Sequence, residues 1–140
     1  MKRNLVFLSM VVVFSLIASF SFSGAKAVMH VSVPFDFYME EQLLPAGNYD
    51  FEIGPGQDAI ASFVTVRSED GAGIRMMTTQ PGVDANATTN LLRFNQYGEK
   101  HFLSSVSING NKASLKMIPL EKELKSQLWK SQSTTTIALK

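Results

Sequence analysis

The stretch that decides the fold reads Val31-Ser-Val-Pro-Phe-Asp-Phe-Tyr-Met39, followed after a turn by Tyr49-Asp-Phe-Glu-Ile53. Large apolar residues alternate with polar ones in both runs, which is the pattern of a β-strand with one buried face. Pro34 cannot donate a ladder hydrogen bond, so we expect this strand to lie at a sheet edge or to carry a bulge there. Leu44-Pro-Ala-Gly47 between the runs is typical of a type I turn.

The strand pattern continues along most of the chain. Further β-like runs occupy residues 61–67, 74–79, 91–95 and 101–108. Asn109-Gly110 is a strong hairpin signal, and the other connections are also tight turns. Strands joined in this way pair antiparallel, which predicts a mainly β fold: a small antiparallel barrel or sandwich of about seven or eight strands.

The hydrophobic period changes near the C-terminus. Apolar residues recur at helical spacing at Met117, Leu120, Leu124 and Leu128. This spacing predicts one C-terminal helix whose leucine stripe packs on the sheet, with Glu121 and Lys125 as an ion pair along it. Residues 133–140 alternate again. Because unpaired sheet edges invite aggregation, we expect this tail to pair with an edge, with the first strand as its neighbour.

Residues 1–27 have the character of an export signal. Lys2 and Arg3 precede an apolar run, and the segment closes on Ala25-Lys-Ala27, the pattern that signal peptidase reads. The run covers about 16 residues, short of the roughly 20 that span a bilayer core. We therefore predict a cleaved signal peptide over 1–27, a single β-rich domain over 28–140, and a periplasmic or extracellular location. The mature form is predicted to have no membrane span; a retained membrane anchor is the alternative.

Charge and cysteine content limit the classes of partner and site. The whole chain has a net charge of +1, but loss of Lys2, Arg3 and Lys26 with the signal leaves about −2, so nucleic acid is not an expected partner. The chain contains no cysteine, although an exported protein enters a compartment where disulfides form. Its fold must depend on packing and hydrogen bonds, and thiolate metal sites are excluded.

Motifs for catalysis are weak. The two histidines, His30 and His101, are far apart in the sequence, and no nucleophile motif such as G-x-S-x-G accompanies them. We therefore predict a non-enzymatic domain with no catalytic, cofactor-binding or metal-binding residues and no cofactor. A hydrolase or metalloenzyme that uses His101 or the loop over residues 80–88 is an alternative.

The 80–88 loop enters that alternative because Asp84-x-Asn86-x-Thr88 resembles the start of a calcium loop. A complete loop has glycine at its sixth position and glutamate at its twelfth, where this chain has Thr89 and Asn95. An Asx-rich surface loop is the preferred interpretation.

The aromatic residues of the first strands allow two interpretations. Phe35, Phe37, Tyr49 and Phe51 could fill a core or line a cavity. A chain of this size has little room for both, so we expect a filled core. A small-barrel carrier of an apolar ligand is the alternative.

Several short motifs also occur in a fixed order. They are Val33-Pro-Phe-Asp-Phe37, Leu44-Pro-Ala-Gly47-x-Tyr49, Phe94-x-x-Tyr97-Gly98 with Phe102-Leu103, and Glu121-Lys-Glu-Leu124. This order resembles a family of small secreted proteins common in acidobacterial genomes, which share a signal peptide, a VPFDF-type strand, an LPAG-type turn, a YG-x-x-x-FL segment and a charged late helix. The resemblance implies export and a small β fold, and it supplies no active site. The chain departs from the family pattern in having no tryptophan between Ser104 and Pro119.

Export, a compact β pattern and the weakness of catalytic motifs together indicate a binding role. We expect an exported non-enzymatic β domain that works by binding or structural association at the cell envelope. The expected partner is an envelope protein or a small ligand.

Overall fold

The computed structural model describes residues 27–55, 62–77, 80–83 and 89–139. The predicted signal peptide lies outside the described residues except for Ala27, where the first strand begins. The described chain is mainly β and forms two sheets with one α-helix near the C-terminus. The predicted fold class is confirmed, and of its two architectures the sandwich is the one found.

Strands account for most of the described elements. In chain order the elements are β1 (Ala27–Val33), β2 (Phe37–Met39), β3 (Gln42–Leu44), β4 (Gly47–Pro55), β5 (Ser62–Ser68), β6 (Gly73–Met77), β7 (Gln80–Val83), β8 (Asn90–Tyr97), β9 (Lys100–Ile108), β10 (Asn111–Ser114), helix α1 (Pro119–Gln127), a 3-10 turn (Trp129–Ser131) and β11 (Gln132–Leu139). The described part has eleven strands, more than predicted, because the first predicted strand is divided and β3, β7 and β10 are short.

The two sheets have different connectivity. The first sheet has the order β1-β4-β5-β6, and the second has the order β11-β8-β9-β10-β7. β2 lies parallel to the start of β9 and pairs with β3 on its other side. The remaining pairings are antiparallel. The antiparallel pattern predicted from the tight turns is therefore correct apart from this one short parallel pair.

The first predicted strand is divided by a corner at which the chain passes from one sheet to the other. β1 ends at Val33, and residues 34–36 carry the chain across to β2 in the second sheet. The prediction of one continuous strand over 31–39 is wrong because Pro34 ends β1, which is an edge strand as the proline suggested. The alternation nevertheless continues through the corner, with Val33 and Phe37 buried and Asp36 exposed.

Two predicted hairpins are confirmed. β5 and β6 pair around the turn at residues 69–72, and β9 and β10 pair around Asn109 and Gly110. The φ angles of Asn109 and Gly110 are 50° and 80°. Positive φ at both central residues is a type I′ turn, which Asn-Gly adopts readily and whose twist matches the strands.

The core lies between the two sheets. Phe37 and Phe51 are fully buried, and the Phe37 ring meets those of Tyr49 and Phe94 edge-on, at centroid distances of 5.3 and 5.4 Å. Phe35 is partly buried against this cluster. The other buried core residues are Met29, Val31, Val33, Met39, Val64, Val66, Leu92, Leu103, Val106, Ile108 and Ala113. The aromatic residues considered as cavity-lining therefore pack on one another as a filled core.

Two side chains hold the turn at residues 44–47. Asp36 accepts a hydrogen bond from the backbone N–H of Ala46 at 2.8 Å, and the Tyr49 hydroxyl donates to the Pro45 carbonyl at 2.5 Å. Burial, and then nearby carboxylates, raise the pKa of Tyr49, so its hydroxyl keeps the proton that it donates. The corner and the turn are thus fixed to each other through Asp36.

Asp36→Ala should lower the free energy of unfolding by about 1 kcal/mol, because the Ala46 N–H loses a charged acceptor. Substitution of an exposed residue that makes no such hydrogen bond usually changes the free energy of unfolding by less than about 0.5 kcal/mol. Urea denaturation measures the difference. Asp36→Asn keeps an acceptor oxygen and should recover most of the loss, so equal losses in the two variants would contradict this role for the hydrogen bond.

Candidate functional site

His101, the residue named in the hydrolase or metalloenzyme alternative, lies at the start of β9 at the border of the core. Its ring stacks on Phe35 with the centroids 4.0 Å apart. Burial lowers the pKa of His101, which favours the neutral ring. Nδ1 is buried and has no hydrogen-bond partner among the described residues. The contacts of His101 are those of a packed aromatic residue.

The other predicted candidates lie apart from His101. His30 lies on the outer face of the first sheet, where it contacts Asp50 in the opposite position of β4, and both side chains are exposed. Residues 80–83 form β7, paired with β10, so this part of the predicted 80–88 loop is a strand. Residues 84–88 lie outside the described residues. Within the described ranges, no three potential metal-ligating side chains come together.

Helix α1 forms as predicted, and its most buried residue is a glutamate rather than a leucine of the predicted stripe. Pro119 lies in its first turn, as expected. Leu120 and Leu124 are half-buried, while Leu128 is 36% exposed. Glu121 is the buried residue of the helix, at 4% exposure. The prediction of the helix is confirmed, and Glu121 is an additional buried residue that the leucine pattern does not predict.

Polar and aromatic groups of β8 surround the Glu121 carboxylate. The Asn95 side-chain amide donates to Glu121 Oε1 at 2.8 Å. The Tyr97 hydroxyl is buried close to the Glu121 carboxylate, and the Tyr97 ring packs edge-on against Phe102 at 5.9 Å. Phe102 also stacks on Tyr38 at 4.9 Å. These side chains form a second, smaller cluster outside the core between the sheets.

Protonation of Glu121 is linked to this burial. Burial raises the pKa of Glu121, and the hydrogen bond from Asn95 and the charge of Lys125 only partly oppose it. Burial, followed by the nearby Glu121 carboxylate, also raises the pKa of Tyr97. The folded state favours protonated Glu121. The stability that this protonation adds is therefore fully present below the ordinary pKa of glutamate, and it is lost as the pH rises through the raised pKa of Glu121 in the folded state.

Glu121→Gln should therefore raise the melting temperature at neutral pH and have little effect at about pH 4, where the glutamate is largely protonated in both states. Glutamine keeps the shape and an acceptor for Asn95. Thermal unfolding of both proteins across this pH range measures the effect. Glu123→Gln, at an exposed position of the same helix, is the control. A lower melting temperature for Glu121→Gln at neutral pH would mean that the fold needs the charge.

Strand β11 forms one edge of the second sheet. It pairs antiparallel with β8 along its whole length, from Gln132 opposite Tyr97 to Leu139 opposite Asn90. The prediction that the tail pairs with a sheet edge is confirmed. The predicted neighbour is wrong, because the first strand β1 belongs to the other sheet and pairs with β4. The far side of β11 has no strand partner in the described part of the chain.

The two faces of β11 differ. Thr135, Ile137 and Leu139 are half-buried and face the core, whereas Thr134 and Thr136 are exposed on the outer face. Gln96 Oε1 on β8 accepts hydrogen bonds from the hydroxyls of Thr135 at 2.9 Å and Ser133 at 3.2 Å. Side-chain contacts thus fix β11 on its inner side and leave an uncharged outer face.

The other edge strands carry features that discourage pairing. β6 contains Arg75, β7 contains Pro81, β3 has only three residues, and β1 has the His30–Asp50 pair at its centre. Charges, proline and short length are the usual means of protecting an edge. β11 has eight residues and no charge, proline or glycine. Among the described edge strands it is the longest one that lacks charge, proline and glycine.

Exposed apolar side chains precede β11 directly. Trp129 is 67% exposed and Leu128 is 36% exposed. Lys130 Nζ lies 5.3 Å from the centre of the Trp129 ring. We refer to Trp129 together with the free side of β11 as the open edge. Its chemistry is that of an interaction surface, since it combines unpaired backbone groups with an exposed aromatic ring.

A groove of about 460 Å³ lies beside the start of α1. Glu40 and Glu41 of the β2–β3 turn face Lys116 and Lys122 across it. Charges of both signs line the groove, so it has no strong preference for an anion or a cation. Glu40 and Glu41 are the two residues between β2 and β3.

Across the described ranges, neither helical segment has the length and hydrophobicity needed to cross a bilayer. Comparisons with protein-family models, with curated proteins and with solved structures gave no match. The functional argument therefore depends on the chemistry of the surfaces described above.

Proposed function

We propose that this chain is an exported, non-enzymatic β-sandwich domain that binds a partner at the cell envelope through the open edge. The observation that carries the proposal is the free side of β11, an uncharged strand of eight residues next to the exposed Trp129. The signal-peptide pattern over residues 1–27 supports the location. The order of the strand, turn and helix motifs supports the same location through the family that it resembles.

Strand addition is the binding mode that this edge favours. A partner strand would receive main-chain hydrogen bonds along β11, which supply affinity, while alternate side chains supply selectivity. On the outer face those side chains are Thr134 and Thr136, which are small and neutral. Trp129 at the start of the edge offers a large contact area to the same partner, and tryptophan is frequent among the residues that dominate binding energy.

The sandwich holds this edge in a fixed position. β11 is hydrogen-bonded to β8 over its length, and β8 pairs in turn with β9. Ile137 and Leu139 pack against the core, and Gln96 holds the hydroxyl of Thr135. A preorganised strand loses less conformational entropy on binding than a flexible one, which favours its use in recognition.

Terminal sequencing of the exported protein tests the location. The A-x-A pattern predicts that the mature chain starts at Val28, one residue after the start of β1. A chain that is exported but still starts at Met1 would contradict cleavage and support a retained anchor.

Affinity capture from envelope fractions tests the binding surface. The exported protein should retain an envelope component that the double variant Thr134→Glu with Thr136→Glu loses, because like charges on the edge oppose strand addition. Val28→Glu with Ser32→Glu places the same charges at exposed positions of β1 and is the matched control. Equal retention by all three proteins would contradict binding through β11.

A further inference from the structure

We infer that the strand bound by the open edge is β11 of a second copy of this chain, paired antiparallel across a two-fold axis. The inference rests on the proposed function and names the partner of the same surface. Two-fold pairing of identical edges is a closed arrangement, and two-fold dimers are the most common oligomers. The second sheet would then continue from one copy into the other.

The geometry of β11 is compatible with this symmetry. A two-fold axis that relates antiparallel neighbours is perpendicular to the sheet, so the core-facing sides of both copies stay on the same side. Residues opposite each other must then belong to the same face, because side chains alternate with period two. Pairing Thr135 with itself satisfies this condition and places Thr134 opposite Thr136 of the second copy. The half-buried face of β11 then lies on the same side of the sheet as the half-buried face of the second copy, and the same holds for the two exposed faces.

The side chains that meet in this register are uncharged and include two threonine pairs. On the outer face, two symmetry-related pairs of Thr134 and Thr136 come together, and threonine pairs stabilise neighbouring strands. On the inner face, Thr135 meets itself and Ser133 lies opposite Ile137. No charged residue occurs in β11, so no like charges meet within the eight residues of the paired strands. An uncharged edge therefore suits an identical strand, whereas a charged partner strand would gain no complementary charge here.

Trp129, the exposed aromatic residue, lies just before the start of β11. Antiparallel pairing brings the end of β11 that follows Trp129 to the Leu139 end of the second copy, and symmetry repeats this contact. Trp129 is 67% exposed in the single chain, and in this register it lies two residues beyond Ser131, the residue opposite Leu139 of the second copy. Trp129 therefore lies at the margin of the paired strands.

Sedimentation equilibrium of the exported protein tests the inference with two matched variants. Both carry Thr136→Glu, which lies opposite Arg93 of β8. One adds Thr134→Glu and the other adds Thr134→Lys, so they differ only in the sign of the charge at position 134. In the proposed register, position 134 faces position 136 of the second copy twice. The two-glutamate variant then has two repulsive pairs, and the lysine–glutamate variant has two attractive pairs.

We expect the wild-type protein to be a dimer, and the two-glutamate variant to have a dimer dissociation constant about tenfold higher or more. The lysine–glutamate variant should dimerise like the wild type. Circular dichroism of each variant should show an unchanged fold, since both positions are exposed. Equal dimerisation of the two variants would overturn the inference.

A monomeric wild-type protein would also overturn the inference, but it would not by itself contradict the proposed function. If such a monomer still retained an envelope component that the two-glutamate variant loses, the open edge would bind a different strand. If the capture experiment also showed no dependence on β11, both the inference and the proposed function would be wrong.

Discussion

Phe37→Ala should lower the free energy of unfolding by about 3–5 kcal/mol, the range typical of removing a buried phenylalanine. Phe37 is fully buried and connects the two sheets. Its ring meets Tyr49 of the first sheet and Phe94 of the second, with centroids 5.3 and 5.4 Å away. Loss of the ring removes these contacts at once and leaves a cavity that the surrounding strands cannot easily fill. Urea denaturation followed by circular dichroism measures the loss.

Phe37→Leu is the matched control, because it keeps an apolar side chain of intermediate volume. We expect it to lose clearly less stability than the alanine variant, since both the transfer and the cavity contributions scale with the atoms removed. A loss below about 1 kcal/mol for Phe37→Ala would contradict the packing, because that is no more than an average substitution costs.

Truncation after Gln132 should have the second large effect. It removes the strand pairing with β8, the packing of Ile137 and Leu139 on the core, and the bond from Thr135 to Gln96. The partial burial of the two apolar side chains and the hydrogen bonds that are lost together contribute at least about 3 kcal/mol to the free energy of unfolding. The melting temperature should fall markedly. The truncated protein should also form large aggregates, since the edge of β8 becomes exposed.

Removal of Lys140 alone is the control for this truncation, because β11 ends at Leu139. Differential scanning calorimetry and light scattering on both proteins separate loss of the strand from loss of the terminal residue. If the protein truncated after Gln132 melted like the full chain and stayed monodisperse, β11 would contribute nothing to the fold.

The fold class can be predicted from local sequence, because the two-residue alternation of a strand and the residue types of tight turns are both local signals. The corner at Pro34 shows where this reasoning fails. Val33 and Phe37 keep the same alternation on both sides of the proline, so the pattern is identical whether the chain continues in one sheet or enters another. The neighbour of β11 was mispredicted for a related reason. β1 and β8 both alternate, and the choice between them depends on distant pairings.

Less of the candidate site can be predicted from the sequence. Glutamate in a helix is usually exposed, so the sequence predicts Glu121 as the partner of Lys125 in a helical ion pair rather than as a buried residue. The available signal was Asn95 and Tyr97 at alternate positions of β8, which offer polar groups to a covering helix. The absence of charge in β11 could be seen directly in the sequence. Whether its far side was free could not, because an edge exists only once the strand order is known.

The three-residue corner at 34–36 also has a mechanical consequence. It joins the sheets by so short a stretch of backbone that neither sheet can slide over the other without stretching the chain. Phe35 fixes the corner to the second sheet, since its ring centroid lies 4.0 Å from that of His101 and 5.1 Å from that of Phe94. Shear between the layers is therefore blocked on this side of the domain. The hydrogen-bonded amide protons of β2 and adjoining β9 should exchange with deuterium only when the whole domain unfolds.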